Sequence, residues 1–138
     1  MGTRSTISMV NDDGTVTSIY CHWDGYISHH GPLLLKHYST KAKVKSLMKL
    51  HSLSTLGEII GKKHDFDKRF PPGEPRPCTS HVRDRGDLAH AYFGLLKDVD
   101  FQEFNYLFRG SKWQVMYSDD DNDWHDLELE LITARLTT

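Results

Sequence analysis

The chain has few cysteines and no long apolar run. Cys21 and Cys78 are its only cysteines and lie far apart, so a disulfide scaffold of the kind found in small secreted domains is not expected. No stretch approaches the roughly 20 apolar residues that a membrane-spanning helix needs. Residues 1–5 also lack the apolar core of a signal peptide. These absences predict a cytoplasmic protein with no membrane association.

The length and composition are those of a globular protein. A chain of 138 residues corresponds to a single domain, and 38% hydrophobic with 26% charged residues is too apolar for a disordered segment. We therefore expect one domain over residues 1–138.

Charge is unevenly distributed along the chain, although the formal net charge is only −2. Residues 31–70 hold nine Lys and Arg against three Asp and Glu, whereas residues 98–130 hold ten acids against two bases. The fold could present a basic and an acidic face, or could bring the two segments together so that they neutralise each other.

Two segments have the pattern of β-hairpins. Residues 4–10 and 15–23 are rich in β-forming residues and are separated by Asn11-Asp12-Asp13-Gly14, which tolerates the left-handed backbone of a tight turn. In the second hairpin Gly110-Ser111 has the glycine-first pattern of a type II′ turn. It lies between two stretches of alternating large apolar residues: Phe104, Tyr106 and Phe108, then Trp113, Val115 and Tyr117.

Several segments have helical signals. Gly31-Pro32 predicts a helix start, because proline at the first helical position loses no hydrogen bond. A second helix is expected from about Thr40, with the apolar stripe Val44, Leu47, Met48 and His51. Further expected helices are a short one from Thr55 to Gly61, one capped by Asp87 that includes Leu88, Ala91, Tyr92, Leu95 and Leu96, and a C-terminal one over residues 127–136.

Residues 62–86 interrupt these patterns with four prolines and many charges, which predicts a long loop that is either functional or mobile. The most economical assembly is an α+β domain. In it, two hairpins form one antiparallel sheet and the helices pack on one face.

The densest group of chemically active residues follows the first hairpin. His22, Trp23, Asp24 and Tyr26 place an imidazole, an indole, a carboxylate and a phenol within five residues, where a strand ends before a helix. They could form a recognition or catalytic pocket. Alternatively they are structural: Trp23 would fill the core, Gly25 would permit the turn, and Asp24 would bind backbone amides.

A second group lies in the long loop. Arg83, Asp84 and Arg85 could clamp a phosphate or carboxylate, because a guanidinium makes bidentate contacts with such groups. Equally, the two arginines could pair with nearby acids and tie the loop to the domain.

Other patterns have no specific chemical interpretation. The nine histidines match no compact metal-ligand signature, and no glycine-rich phosphate loop or nucleophile motif is present. We therefore expect no metal, no cofactor and no catalytic residues. Lys41, Lys45 and Lys49 form a stripe on the second helix that could meet nucleic acid, but a solvated face is favoured because no stacking aromatic residue is interleaved.

Several of these motifs also occur together in a known group. The chain resembles short proteins encoded by tailed bacteriophages and prophages, through Arg4-Ser5-Thr6-Ile7, Tyr20-Cys21-His22-Trp23-Asp24-Gly25-Tyr26, Gly31, residues 34–38, 83–87 and 104–108, and Trp113. It departs from the group's pattern at His81, which lacks a preceding aromatic residue. The resemblance implies a phage accessory gene, whose product works in the cytoplasm of the bacterial host.

These observations support two functional hypotheses. In the favoured one, a phage protein without catalytic activity binds a host protein or protein complex and inhibits a defence or regulatory function. It would use His22, Trp23, Asp24 and Tyr26 together with residues 83–85, because Trp, Tyr and Arg dominate interface energies. In the alternative, a small enzyme or nucleotide- or anion-binding protein uses His22 and Asp24 beside Arg83 and Arg85. The oligomeric state is open, and pairing of strand edges could give a homodimer.

Overall fold

A computed structural model describes residues 3–51, 53–58, 78–80, 91–118 and 123–137. Its strands are β1 (Ser5–Val10), β2 (Val16–Cys21), β3 (Leu53–Thr55), β4 (Thr79–Ser80), β5 (Tyr92–Gly94), β6 (Phe104–Arg109), β7 (Lys112–Tyr117) and β8 (His125–Asp126). Its helices are α1 (Ile27–His37), α2 (Lys41–Met48) and α3 (Leu127–Thr137), with a short 3-10 turn at Leu96–Asp98.

Both predicted hairpins form. In the first, Val10 pairs with Val16 across the turn, and Gly14 has the positive φ of +87° that the turn requires. In the second, Arg109 pairs with Lys112, and Gly110 has a φ of +67°, as a glycine-first turn demands.

The prediction of a purely antiparallel sheet is wrong. The eight strands form one mixed sheet in the order β4-β3-β2-β1-β6-β7-β8, with β5 also paired to β2. The two hairpins join through β1 and β6, which run parallel, and β2 and β3 are also parallel. The α+β class is confirmed, but parallel pairs arise because the chain crosses over the sheet through helices between its hairpins.

β1 lies in the middle of the sheet, and its sequence does not indicate this position because it contains polar residues. Thr6 and Ser8 alternate with apolar residues, as in a half-exposed strand, yet both are buried. Thr6 donates a hydrogen bond of 2.8 Å to Asn105, and Ser8 donates one of 2.8 Å to Ser18. Cross-strand hydrogen bonds therefore allow this face to be covered.

The three helices contribute to one main core against the sheet. Ile7, Ile19, Tyr106 and Val115 come from the strands, and Leu34, Val44, Leu47, Leu127 and Leu131 come from α1, α2 and α3. A smaller cluster on Val16, Leu107 and Val99 forms a second apolar group. The predicted packing of the helices on one face is consistent with the main cluster.

Helix boundaries differ from several predictions. α1 begins four residues before Gly31, so Pro32 lies inside the helix rather than at its start. α2 begins as expected, with the Thr40 side chain accepting a hydrogen bond from the Lys43 backbone N–H, but it ends before His51. The predicted C-terminal helix is confirmed as α3.

Two other predictions are wrong where the structure describes the residues concerned. Thr55 belongs to β3 rather than capping a helix, because residues 53–55 pair with β2 and β4. Residues 92–94 form β5 against β2 instead of continuing a helix from Asp87, which itself lies outside the described residues. Of the predicted 62–86 loop, the structure describes only residues 78–80, of which Thr79 and Ser80 form β4, so the prediction of a long loop stays a prediction.

Candidate binding site at the aromatic corner

Residues 22–26, called the corner below, continue the pairing of β2 with β3. The His22 backbone N–H donates a hydrogen bond of 3.0 Å to the Leu53 carbonyl, and that of Trp23 donates one of 2.9 Å to the Ser54 carbonyl. The main chain of the corner is therefore fixed to the sheet before it turns toward α1.

Gly25 is held from two sides. Its N–H donates a hydrogen bond of 2.8 Å to the Thr3 carbonyl, and its own carbonyl accepts one of 2.6 Å from the Tyr106 hydroxyl. A Cβ atom at this position would lie 2.7 Å from the Ser5 Cβ and 2.8 Å from the Thr3 carbonyl oxygen. The close approach to β1 therefore requires glycine.

Asp24 makes the turn between these anchors. Its φ of +60° lies in the left-handed region, which Asp and Asn adopt more readily than most residues. Its partly exposed carboxylate accepts no hydrogen bond from the residues that the structure describes, so the expected bonds to backbone amides are not observed there. The left-handed backbone thus explains why aspartate occupies position 24. The Asp24 carboxylate is not used for hydrogen bonding by the described residues.

The two large rings of the corner face solvent. Trp23 is 42% exposed and Tyr26 is 40% exposed. The alternative in which Trp23 fills the core is therefore wrong, and the fully buried Cys21 occupies the last core position of β2 instead.

Neighbouring rings support the exposed ones. The Trp23 ring packs edge-on against His22, with 4.7 Å between ring centroids and 87° between ring planes. His22 is itself positioned by Tyr20, whose hydroxyl lies 2.8 Å from the His22 Nδ1. Tyr26 packs edge-on against His29 at 5.9 Å. These contacts restrict the rotamers of the rings that a partner would meet.

A buried histidine lies beneath the corner. The Nδ1 atoms of His29 and His30 are 3.0 Å apart, and the fully buried His30 ring lies 5.5 Å from that of Tyr106. Burial, followed by the neighbouring His29, lowers the pKa of His30 to about 3. A hydrogen bond with the Asp24 backbone acts in the opposite direction and raises the pKa of His30. The His30 Nε2 has no hydrogen-bond partner among the described residues.

The structure brings together part of the predicted site. His22, Trp23, Asp24 and Tyr26 share the corner, whereas residues 83–85 lie outside the described residues. The predicted convergence of Arg83 and Arg85 with His22 and Asp24, on which the enzyme alternative depends, therefore stays a prediction.

The described part of the chain contains neither a cluster of metal ligands nor an activated thiol. Within the described ranges, no three His, Cys, Asp or Glu side chains are arranged to hold a metal ion. Burial raises the pKa of the Cys21 thiol to about 12 and also raises that of Cys78. Neither thiol is therefore an activated nucleophile at neutral pH.

Sequence reasoning did not identify the residues that support the corner. Tyr106 was predicted only as part of the alternating pattern of the second hairpin. The tyrosine between two phenylalanines was the one available signal, because a buried tyrosine usually has a hydrogen-bond partner. No local pattern indicated that His30 would be buried or that the Ser54 carbonyl would bind Trp23.

Other grooves are lined by described residues elsewhere on the surface, and three of them have a defined volume. Two, of about 280 and 470 Å³, are lined by residues of both α1 and α3, and one of about 420 Å³ lies near Trp124. None of the three is lined by corner residues. In the described part of the chain, no helix has both the length and the apolar character needed to cross a membrane.

Comparison of the chain with protein-family models, curated proteins and solved structures finds no match.

Proposed function

We propose that the protein binds another protein through the corner, with Trp23 and Tyr26 as the main contact residues. The observation that supports this proposal is the combination of two exposed rings with a backbone hydrogen-bonded to three neighbouring strand regions. Trp and Tyr are the residue types most enriched among those that dominate interface energies.

The fixed backbone favours binding on entropic grounds. Ordering a loop and its side chains on association costs free energy, about 0.5–1.5 kcal/mol for each immobilised flexible side chain. In the corner, Gly25 is already anchored and the Trp23 ring is already packed against His22. Less of the interaction energy is therefore spent on ordering.

The chemistry of the corner indicates what the partner presents. Two rings favour an apolar surface with hydrogen-bond acceptors. The partly exposed Asp24 carboxylate, which accepts no hydrogen bond from the described residues, favours a cation or an N–H donor between the rings. The resemblance to phage proteins makes a host protein complex the expected partner and inhibition the expected effect. Residues 83–85 would extend the same contact.

Affinity capture with matched variants tests the proposal. Wild-type protein, Trp23→Ala/Tyr26→Ala and the control Phe93→Ala would be used as baits in lysate of the bacterium that carries the gene. Phe93 is a suitable control because its ring is 64% exposed but lies on β5, away from the corner. Circular dichroism would first establish that all three baits are folded.

The expected result is a protein retained by wild type and by Phe93→Ala but lost from the double variant. Retention by all three baits, or no specifically retained protein, would count against the corner as a binding site.

A further inference from the structure

Helix α2 carries a concentrated positive charge that the proposed function does not use. Val44, Leu47 and Met48 are buried on its inner side. Lys41, Lys43, Lys45 and Lys49 are all exposed, and neither the helix nor its C-cap contains an acidic residue. Like charges one turn apart destabilise a helix slightly, so this arrangement has a cost that folding alone does not explain.

Little of this charge is neutralised within the protein. Lys41 pairs with Asp12 in the first hairpin turn, and this hydrogen bond, the Lys41 charge and, more weakly, the Lys45 charge lower the pKa of Asp12. Lys43, Lys45 and Lys49 form no ion pair with any residue in the described ranges. No acid in the described part of the 98–130 segment pairs with them, and only Lys45 has a further interaction in the described ranges, the weaker one with Asp12.

Small residues lie in the middle of the exposed side. Ala42 and Ser46 lie at its centre, with lysines on both flanks, as the helical repeat requires. Small central residues allow another backbone to approach closely while the lysine side chains reach around it. The row from Lys41 to Lys49 extends about 12 Å at the rise of an α-helix.

We propose that this side of α2 binds the phosphodiester backbone of nucleic acid without sequence preference. Lysine is depleted at protein–protein interfaces, and α2 has no arginine or aromatic residue to anchor a protein partner or to stack on a base. Lysine and hydroxyl side chains around a close backbone approach are instead typical of phosphate contacts. This surface is separate from the corner, and the two proposals can fail independently.

The salt dependence of binding gives a quantitative test. A fluorescein-labelled DNA duplex would be titrated with the full-length protein, and anisotropy measured from low to physiological salt. Three lysine–phosphate contacts predict that log K falls against log salt with a slope of about −2.7. Two duplexes of unrelated sequence should bind with equal affinity.

Matched charge variants locate the surface. Lys43→Gln/Lys45→Gln/Lys49→Gln should weaken binding about tenfold or more at low salt and remove most of the slope. The variant should stay folded, because the lysines are exposed and glutamine has a similar helix propensity. A control with the same charge loss elsewhere, Lys97→Gln/Arg109→Gln/Lys112→Gln, should bind nearly as wild type does.

Three results would overturn the proposal. One is the absence of duplex binding by wild type at low salt. Another is equal weakening by the two triple variants, which would indicate a net-charge effect. The third is saturable binding of an acidic polypeptide, poly-glutamate, without binding of the duplex, which would assign α2 to an acidic protein partner.

Discussion

The hydroxyl group of Tyr106 donates a hydrogen bond of 2.6 Å to the backbone carbonyl of Gly25, 81 residues away in the sequence. Tyr106 lies in the middle of β6 and is fully buried, and its burial raises the pKa of its hydroxyl, which therefore stays protonated as a donor. The bond fixes the corner to a core strand of the second hairpin. The position of Trp23 and Tyr26 thus depends on a residue far from both in the chain.

Tyr106→Phe removes this bond while keeping the ring in the core. We expect a loss of about 1–3 kcal/mol in the free energy of unfolding, because the Gly25 carbonyl stays buried without its partner. Urea denaturation followed by circular dichroism would measure it. Tyr92→Phe serves as a control: its hydroxyl donates a hydrogen bond to the Leu95 carbonyl in an exposed position, so a smaller loss is expected. Equal losses would contradict the special role of the Gly25 bond.

Gly25→Ala tests the close approach of the corner to β1. The added Cβ would meet the Ser5 Cβ at 2.7 Å and the Thr3 carbonyl oxygen at 2.8 Å, and neither belongs to a flexible side-chain end. We expect a destabilisation of about 1–3 kcal/mol, as for an overpacked core. Gly14→Ala, with no atom within 4 Å, is strained only through its φ of +87°. A Gly25→Ala variant as stable as wild type would show that the corner can move away from β1.

Asn105→Asp tests the buried polar contacts between β1, β6 and β7. The Asn105 amide nitrogen donates to the carbonyls of Gln102 and Met116, and its oxygen accepts from the Gln102 backbone N–H and the Thr6 hydroxyl. Aspartate would place an acceptor or a charge against two carbonyl oxygens. We expect a loss of about 3 kcal/mol or more by chemical denaturation. A loss below that of Asn105→Ala would contradict this assignment of the amide.

The sequence correctly predicted features that depend on residues close together in the chain. Each predicted hairpin forms because a turn with left-handed backbone separates two β-rich segments, and α2 begins next to Thr40, as predicted. The corner was also found as a cluster, because its four functional side chains lie within five residues.

Non-local pairing could not be predicted. The parallel pairing of β1 with β6 depends on contacts between distant segments, and the polar alternation of Thr6 and Ser8 resembled a half-exposed strand. Similarly, the exposure of Trp23 follows from how β2 extends along β3, which no residue near Trp23 specifies. Tertiary contacts overrode local pattern at these points.

Because His30 is buried, we expect the free energy of unfolding to fall at acidic pH. Its pKa falls from an ordinary 6.5 to about 3 in the folded protein, so below about pH 6.5 the unfolded state binds a proton that the folded state excludes. The resulting stability is fully present above pH 6.5 and is lost as the pH falls toward 3, at up to about 1.4 kcal/mol per pH unit. Urea denaturation at a series of pH values would measure this slope.

His30→Gln provides the comparison, because glutamine does not titrate. Its free energy of unfolding should depend less on pH than that of wild type between about pH 6.5 and pH 4.5, whatever its absolute stability. Exposed Asp12 and Asp13, whose pKa values are also lowered, are common to both proteins. Identical slopes would show that His30 takes up its proton without unfolding.

The central claim is that Trp23 and Tyr26 are presented on a fixed backbone for contact with a protein. The most direct measurement is the dissociation constant of a purified captured partner for wild type, Trp23→Ala and Phe93→Ala, by calorimetry. The claim predicts that Trp23→Ala weakens binding by about 30-fold or more, corresponding to a loss of about 2 kcal/mol, and that Phe93→Ala changes it by less than about threefold. Equal affinity of Trp23→Ala and wild type would contradict the claim.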